Sequence, residues 1–254
     1  MYALPHLVVI CLCCSLVYTR QRLTEKSLSN FYQNLYQQLD RGRDLPKEEY
    51  FRLESKKGQD IFHYMFNNSL LPPKNTLIVE IGCGVGGVLY PFRKYGYEII
   101  GCDFNQDYIN FGITTRGLNL KAGGLKEISK VLFKSKKKVG LVIYEQVFEH
   151  LPDPKKELTQ LKKIMTSNTL LYLGVPGIKN IRHHYQENFR AFLQFPHLTY
   201  FELSTLKSLL ASQGFQLLKG TERIRGVFKL GQKRNILLTN PDGIITYIQN
   251  LKFI

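Results

Sequence analysis

The sequence is short of acid: 35 lysines and arginines stand against 20 aspartates and glutamates, a formal charge of +15 at neutral pH. That balance favours an anionic partner such as nucleic acid, phosphorylated lipid or a nucleotide-linked substrate. A nucleic-acid-binding motif is also missing, and the basic residues are scattered, so nucleic acid is disfavoured. A small-molecule or glycan acceptor, phosphate-linked acceptors included, and peripheral membrane contact both remain compatible with the charge. The densest basic run, Lys134 to Lys138 broken only by Ser135, lies between apolar segments and reads as a solvated loop. Cysteine is sparse and irregular: Cys11, Cys13, Cys14, Cys83 and Cys102 are odd in number and form no framework. This argues against a secreted disulfide scaffold and for a reducing, cytoplasmic compartment. Internal repeats and low-complexity tracts are absent as well. At 254 residues and 44% hydrophobic content there is room for one main α/β domain with an N-terminal appendage and no second full domain. Nothing in these figures fixes an oligomeric state.

The most apolar stretch, Leu4 to Val17, falls short of the ~20 residues a membrane span needs, and its basic residues, Arg20 and Arg22, follow it. A signal peptide is therefore the third of three readings. First comes half a zinc ribbon, because Cys11 and Cys14 form a C-x-x-C pair, although a closed site needs four thiolate or imidazole ligands. Second is an apolar strand packed on the core. From Leu28 onward the period changes to helical, with Phe31, Tyr32, Leu35, Tyr36 and Leu39 three and four residues apart. Pro46 opens another helix through Tyr50, Phe51, Ile61, Phe62 and Met65, and Leu71-Pro72-Pro73 ends it. The expected organisation is an N-terminal segment over 1–27, helices over 28–75 and the main domain over 76–254.

Leu77-Ile78-Val79-Glu80-Ile81 reads as a buried strand and runs into Gly82-Cys83-Gly84-Val85-Gly86-Gly87 ahead of an amphipathic helix with Val88, Leu89 and Phe92. Glycines at such a turn permit positive φ and close backbone approach to a nucleotide-like ligand. The next strand, Glu98 to Asp103, ends in a carboxylate about twenty residues after the first glycine, where ribose hydroxyls lie in a nucleoside site. Spacing alone does not separate a dinucleotide from S-adenosylmethionine. Glu80 tips the balance, because a sulfonium amino acid needs acidic partners where a nicotinamide-binding strand is apolar.

Val79 to Gly86 resembles the first motif of class I S-adenosylmethionine-dependent methyltransferases, and later segments continue the resemblance. Ile99 to Asp103 with Phe104-Asn105 is similar to the second motif, Gly123-Gly124-Leu125 to the adenine-side turn, and Leu141 to Tyr144 to the fourth strand, which enters Glu145-Gln146-Val147-Phe148-Glu149-His150-Leu151-Pro152-Asp153-Pro154. Leu170 to Pro176 resembles the fifth strand, and His197 to Phe215 the region after it, with Ser204 expected to cap a helix that Gly214 closes. The closest group by resemblance acts on sugars of surface polysaccharides and related glycans and often carries an N-terminal zinc ribbon. Cys11, Cys14, Leu16-Val17-Tyr18, Arg20, Arg22 and Phe31-Tyr32 match it, whereas Ser15 replaces its glycine and an upstream cysteine pair is missing.

The resemblance implies a Rossmann-like methyltransferase fold, a mainly parallel central sheet flanked by helices with a helical N-terminal extension, and S-adenosyl-L-methionine as cofactor. It implies cofactor contacts at Glu80, Gly82, Cys83, Gly84, Gly86, Asp103, Phe104, Gly124, Leu125, Glu145 and Gln146. A hydroxyl acceptor must lose a proton, which makes His150 and His197 the candidate catalytic bases; no resident metal is expected. Methyl transfer to a sugar hydroxyl is the expected reaction. A quinone or other small-molecule O-methyltransferase is the alternative, and a cofactor-binding subunit without turnover a further one.

Overall fold

The computed structural model describes residues 6–21, 27, 47–186, 188–194, 196–234 and 241–251. The helix expected through Phe31 and Leu39, the Pro46 start and Arg22 lie outside them. The strands are β1 (Val8–Ile10), β2 (Val17–Thr19), β3 (Leu77–Ile81), β4 (Glu98–Asp103), β5 (Leu120–Ala122), β6 (Val139–Glu145), β7 (Leu170–Gly174), β8 (Thr199–Tyr200), β9 (Phe215–Gly220) and β10 (Arg225–Leu230). The longer helices are α1 (Lys47–Asn67), α2 (Leu89–Lys94), α3 (Gln106–Arg116), α4 (Leu125–Ser135), α5 (Pro154–Leu161), α6 (Leu203–Ser212) and α7 (Pro241–Gln249). The chain forms two compact units, one of Glu25–Glu145 and Thr159–Tyr172, the other of Met1–Thr24, Gln146–Leu158 and Leu173–Ile254.

The first unit has strand order β5-β4-β3-β6-β7, and β3 pairs in parallel with both β4 and β6, as β4 does with β5. Strands covered on both faces need continuous apolar runs, which is why all five residues of β3 are buried. Each parallel step needs a crossover helix, and α2 and α3 supply the first two. The side-chain oxygen of Asn105 accepts from the Tyr108 N–H at 2.9 Å to start α3, and Gly117 at φ +60° ends it. Helix α1 buries Phe51, Ile61, Phe62 and Met65, the stripe the sequence spacing gives.

Close packing brings α1 onto the glycine turn. A Cβ at Gly58 would lie 2.4 Å from the Val88 carbonyl oxygen, and one at Gly87 2.5 Å from Glu54 Cβ. Both glycines serve helix contact. Gly58→Ala is expected to lower the unfolding free energy by about 1–3 kcal/mol through overpacking, read as a fall in midpoint on chemical denaturation; an unchanged midpoint would show that the helix can shift at no cost.

In the second unit β1, β2 and β8 form an antiparallel sheet. Val17, Ile178, Ile181, Phe189, Phe192, Tyr200, Ile244 and Leu251 make its core. The described part of the apolar N-terminal stretch is thus a hairpin packed on that core. Its turn holds the three neighbouring cysteines: Cys11 N–H donates to the Leu16 carbonyl and Ser15 N–H to the Cys11 carbonyl, both at 2.9 Å. Ser15 takes φ +61°, the conformation that glycine adopts most easily. No helix among the described residues is long and apolar enough to cross a membrane. The last two residues of β7 belong to this unit and neighbour β10 in strand order; β10 pairs antiparallel with β9. Helix α5 begins at Pro154 as expected, with Asp153 Oδ1 accepting from Lys156 N–H at 2.9 Å. For α6 the expectation needs correction. Glu202, not Ser204, is the N-cap: it keeps extended backbone immediately before the first helical residue, and its own N–H donates to Thr205 Oγ1 at 3.2 Å. Ser204 lies inside the helix and donates its hydroxyl to Glu202 Oε1, and Gly214, at φ +81°, follows the helix end as expected.

Candidate functional site

In the first unit, β3 delivers Glu80 and the glycine turn, and β4 delivers Asp103 beside them. Gly82, Gly84 and Gly86 hold φ +74°, +51° and +80°, so the bend depends on residues without a Cβ. Four of its donors are already engaged. Gly82 and Cys83 N–H both donate to the Cys102 carbonyl at 2.8 Å, and Gly86 N–H to the Cys83 carbonyl at 2.8 Å. Gly84 N–H donates to Asp103 Oδ2 at 2.9 Å, and Asn105 N–H donates to Asp103 Oδ1 at 2.8 Å. Asp103 thereby ties the turn to its own strand end, and each of its oxygens keeps a further lone pair for an incoming hydroxyl. Burial pushes its carboxyl upward, and those two N–H bonds oppose the shift.

Glu80 is 2% exposed, and its Oε2 makes no hydrogen bond among the described residues. Its carboxyl is driven well above the ordinary value, first by burial and then by the negative charges of Glu54, Glu145 and Asp103, with Lys57 opposing. Four acidic side chains therefore interact beside a turn in which the Gly82, Cys83, Gly84 and Gly86 N–H groups bond within the protein. A pyrophosphate would meet repulsion and few donors there, whereas a cationic ligand would relieve the repulsion.

The other expected cofactor residues of this unit are placed as follows. Cys83 is buried, and its Sγ lies 2.7 Å from where a Cβ on Gly101 would stand, so its thiol packs into the sheet. Phe104 is 61% exposed, and its ring lies 3.1 Å from a notional Cβ on Gly124. Gly124 starts α4, its N–H donating to Glu127 Oε2 at 3.0 Å, and Leu125 is buried behind it. Two residues that the sequence reading missed come from α1. Tyr50 hydroxyl lies 2.7 Å from a notional Cβ on Gly84, and its ring packs on Tyr108 at 5.1 Å; Glu54 adds its charge to the cluster and pairs with Lys57 at 3.0 Å. Helical spacing marks Tyr50 and Glu54 as one face of α1 but carries no sign of what that face meets.

The second unit holds Gln146, His150 and His197. Gln146 sits at φ +57°, a rare conformation for its type, with its N–H donating to the Gly174 carbonyl at 2.8 Å. His150 and His197 are brought together, ring centroids 4.9 Å apart. His150 Nδ1 lies 3.0 Å from the Pro196 carbonyl, which can only accept, so that nitrogen carries a proton and Nε2 is the ring atom left to face other groups. His197 is 4% exposed, and burial, with His150 and His6 nearby, lowers its pKa to about 3, so it is neutral at physiological pH.

Comparison with known proteins bears on the family and the fold. Ubiquinone biosynthesis O-methyltransferase of Pelagibacter ubique (strain HTCC1062) is 24% identical over 123 residues, 48% of this chain and 51% of that protein, so the chain spans about half the length of the curated relative it matches. Magnesium protoporphyrin IX methyltransferase of Synechocystis PCC 6803, solved with bound S-adenosylhomocysteine, superposes with a TM-score of 0.54 at 13% identity, covering 82% of this chain and all (100%) of that one. An S-adenosylmethionine-dependent methyltransferase of Clostridium acetobutylicum ATCC 824 gives 0.51 at 11%, covering 78% and 96%. At such identities the two structures attest the fold, a mostly parallel sheet flanked by helices. A family described as a methyltransferase domain matches residues 50–219, which include most of α1, the glycine turn, the β4 carboxylate and both histidines. With well over half of its length matched, the chain belongs to the methyltransferase-domain family.

Proposed function

We propose that the protein transfers a methyl group from S-adenosylmethionine to a hydroxyl acceptor. The observation that carries this reading is the group of acidic side chains, Glu54, Glu80, Asp103 and Glu145, beside a turn whose Gly82, Cys83, Gly84 and Gly86 N–H groups are engaged within the protein: it suits a sulfonium amino acid and opposes a pyrophosphate. Bound S-adenosylmethionine supplies an activated methyl that leaves a neutral sulfide behind when an oxygen nucleophile attacks it in line. Glu80 holds the ammonium end, Asp103 accepts from the ribose hydroxyls through its remaining lone pairs, and Phe104 with Gly124 and Leu125 borders the adenine. Gly82, Cys83, Gly84 and Gly86 contribute backbone shape, and Glu145 closes the amino-acid side. The protein's contribution is mostly position and exclusion of competing geometries. His150 and His197 are the imidazoles proposed to take the acceptor proton.

The acceptor we propose is a sugar hydroxyl of a surface polysaccharide or related glycan, built in the cytoplasm. Its support is the N-terminal hairpin, which presents Cys11 and Cys14 in a turn with Ser15 at the position of the group's glycine. A quinone-precursor hydroxyl is the second reading, favoured by the Pelagibacter relative. Transfer of tritium from methyl-labelled S-adenosylmethionine to nucleotide-linked sugars and to polyhydroxylated aromatics tests both. Labelled sugar is the expected product; label on the aromatic alone transfers the assignment to the second reading, and label on neither, with intact cofactor binding, refutes both acceptor classes.

A further inference from the structure

We propose that Glu149, His150 and His197 form a divalent-metal site of the two-histidine, one-carboxylate type, with positions left open for an oxygen ligand such as water or a hydroxyl. One ligand atom from each residue lies within 4.8 Å of the others, and all three residues belong to one compact unit. A tetrahedral ion with ligands at about 2.0–2.1 Å holds them about 3.3 Å apart, a contraction that side-chain rotation supplies.

The surroundings are built as a metal site requires. His150 Nδ1 is tied to the Pro196 carbonyl at 3.0 Å, which turns its Nε2 toward Glu149 Oε1, 3.8 Å away. A backbone carbonyl on the far nitrogen of an imidazole is the support that fixes a metal-ligating tautomer. The two ligand-bearing segments are also joined directly, Leu198 N–H donating to the Glu149 carbonyl at 2.9 Å. Thr19 Oγ1 from β2 donates to the His197 carbonyl at 2.8 Å and holds the third ligand in register. Glu149 is 1% exposed and His197 4%, so the carboxylate sits in a medium where a cation is worth more than in water. Nitrogen and oxygen donors in that number suit zinc and its neighbours in the first transition row over calcium or magnesium. This assignment stands apart from the methyl-transfer reading, since it concerns ion binding and not turnover.

The full chain, stripped with chelator and titrated with Co2+, tests it. The expected result is one equivalent bound with the visible d–d absorption of a low-coordinate nitrogen–oxygen site. Glu149→Gln and His197→Ala should each weaken binding at least ~10-fold, while circular dichroism confirms that the fold is kept; Glu149→Gln preserves volume should the histidine variant unfold. A Cys11→Ser, Cys14→Ser double variant should leave the equivalent and its spectrum intact. The site is overturned if cobalt does not bind, if binding survives in both ligand variants, or if the only spectrum is a sulfur-to-cobalt charge-transfer band that the double variant abolishes. In those cases the three residues form a buried polar cluster that holds no ion.

Discussion

Asp103→Ala is expected to weaken S-adenosylhomocysteine binding at least ~100-fold and to lower the unfolding free energy by roughly 2–6 kcal/mol, because it removes the acceptor of two backbone donors at once. Gly84 N–H and Asn105 N–H lie 2.9 and 2.8 Å from its two carboxylate oxygens. Without them the glycine turn loses its tie to β4, and the start of α3 loses the bond beside its Asn105 cap. Asp103→Asn restores one acceptor but places an amide N–H2 against the other donor, so it should fall between wild type and alanine in both measurements. Calorimetric titration and urea denaturation on the three proteins give the comparison. Unchanged affinity in the alanine variant would remove Asp103 from the nucleoside site, and unchanged stability would mean that water replaces it without loss.

Glu80→Gln has the second largest expected effect, with opposite signs for the empty and the loaded protein. The Glu80 carboxyl in the folded chain holds its proton to a pH well above the ordinary 4.5. The unfolded chain releases that proton near 4.5, so the group's contribution to stability is complete below that pH and is lost as pH rises through the folded value. The glutamine variant loses this dependence and should be the more stable protein at neutral pH without ligand. A bound cation favours the ionised carboxylate, so affinity for S-adenosylmethionine should rise with pH in the wild type and be flat over the same range in the variant. Loss of one charge-assisted hydrogen bond corresponds to about 1.5–3 kcal/mol, or ~10- to 100-fold weaker binding at neutral pH. Parallel pH slopes in the two proteins would show that Glu80 does not meet the ligand's charge.

The parts of the fold legible in the sequence are those set by local chemistry. A β-branched run followed by closely spaced glycines dictates β3 and its turn, since the φ values of +74°, +51° and +80° are accessible to little else. The carboxylate ending β4 follows from strand length and parallel register. Asp153-Pro154 announces α5 because proline at a first helical position forgoes an N–H that has no partner there in any case. What stayed hidden depends on contacts distant in sequence. Tyr50 and Glu54 reach the glycine turn only because Gly58 and Gly87 let α1 approach it. His150 and His197 meet through the Glu149–Leu198 backbone bond, which no periodicity encodes. At α6 two oxygen-bearing residues competed for the cap, and Glu202 prevailed because it stands immediately before the first helical residue. The hairpin of β1 and β2 was ambiguous for a different reason: three-residue strands beside a cysteine-rich turn are too short for alternation to declare itself.

Side-by-side calorimetry of the wild-type chain with S-adenosylmethionine and with reduced nicotinamide dinucleotide, at one salt concentration, tests the central claim most directly. Carboxylates gathered around an inward-bonded glycine turn should bind one equivalent of the sulfonium nucleoside and reject the dinucleotide by at least ~100-fold, about 2.7 kcal/mol. Equal or tighter binding of the dinucleotide would contradict the account.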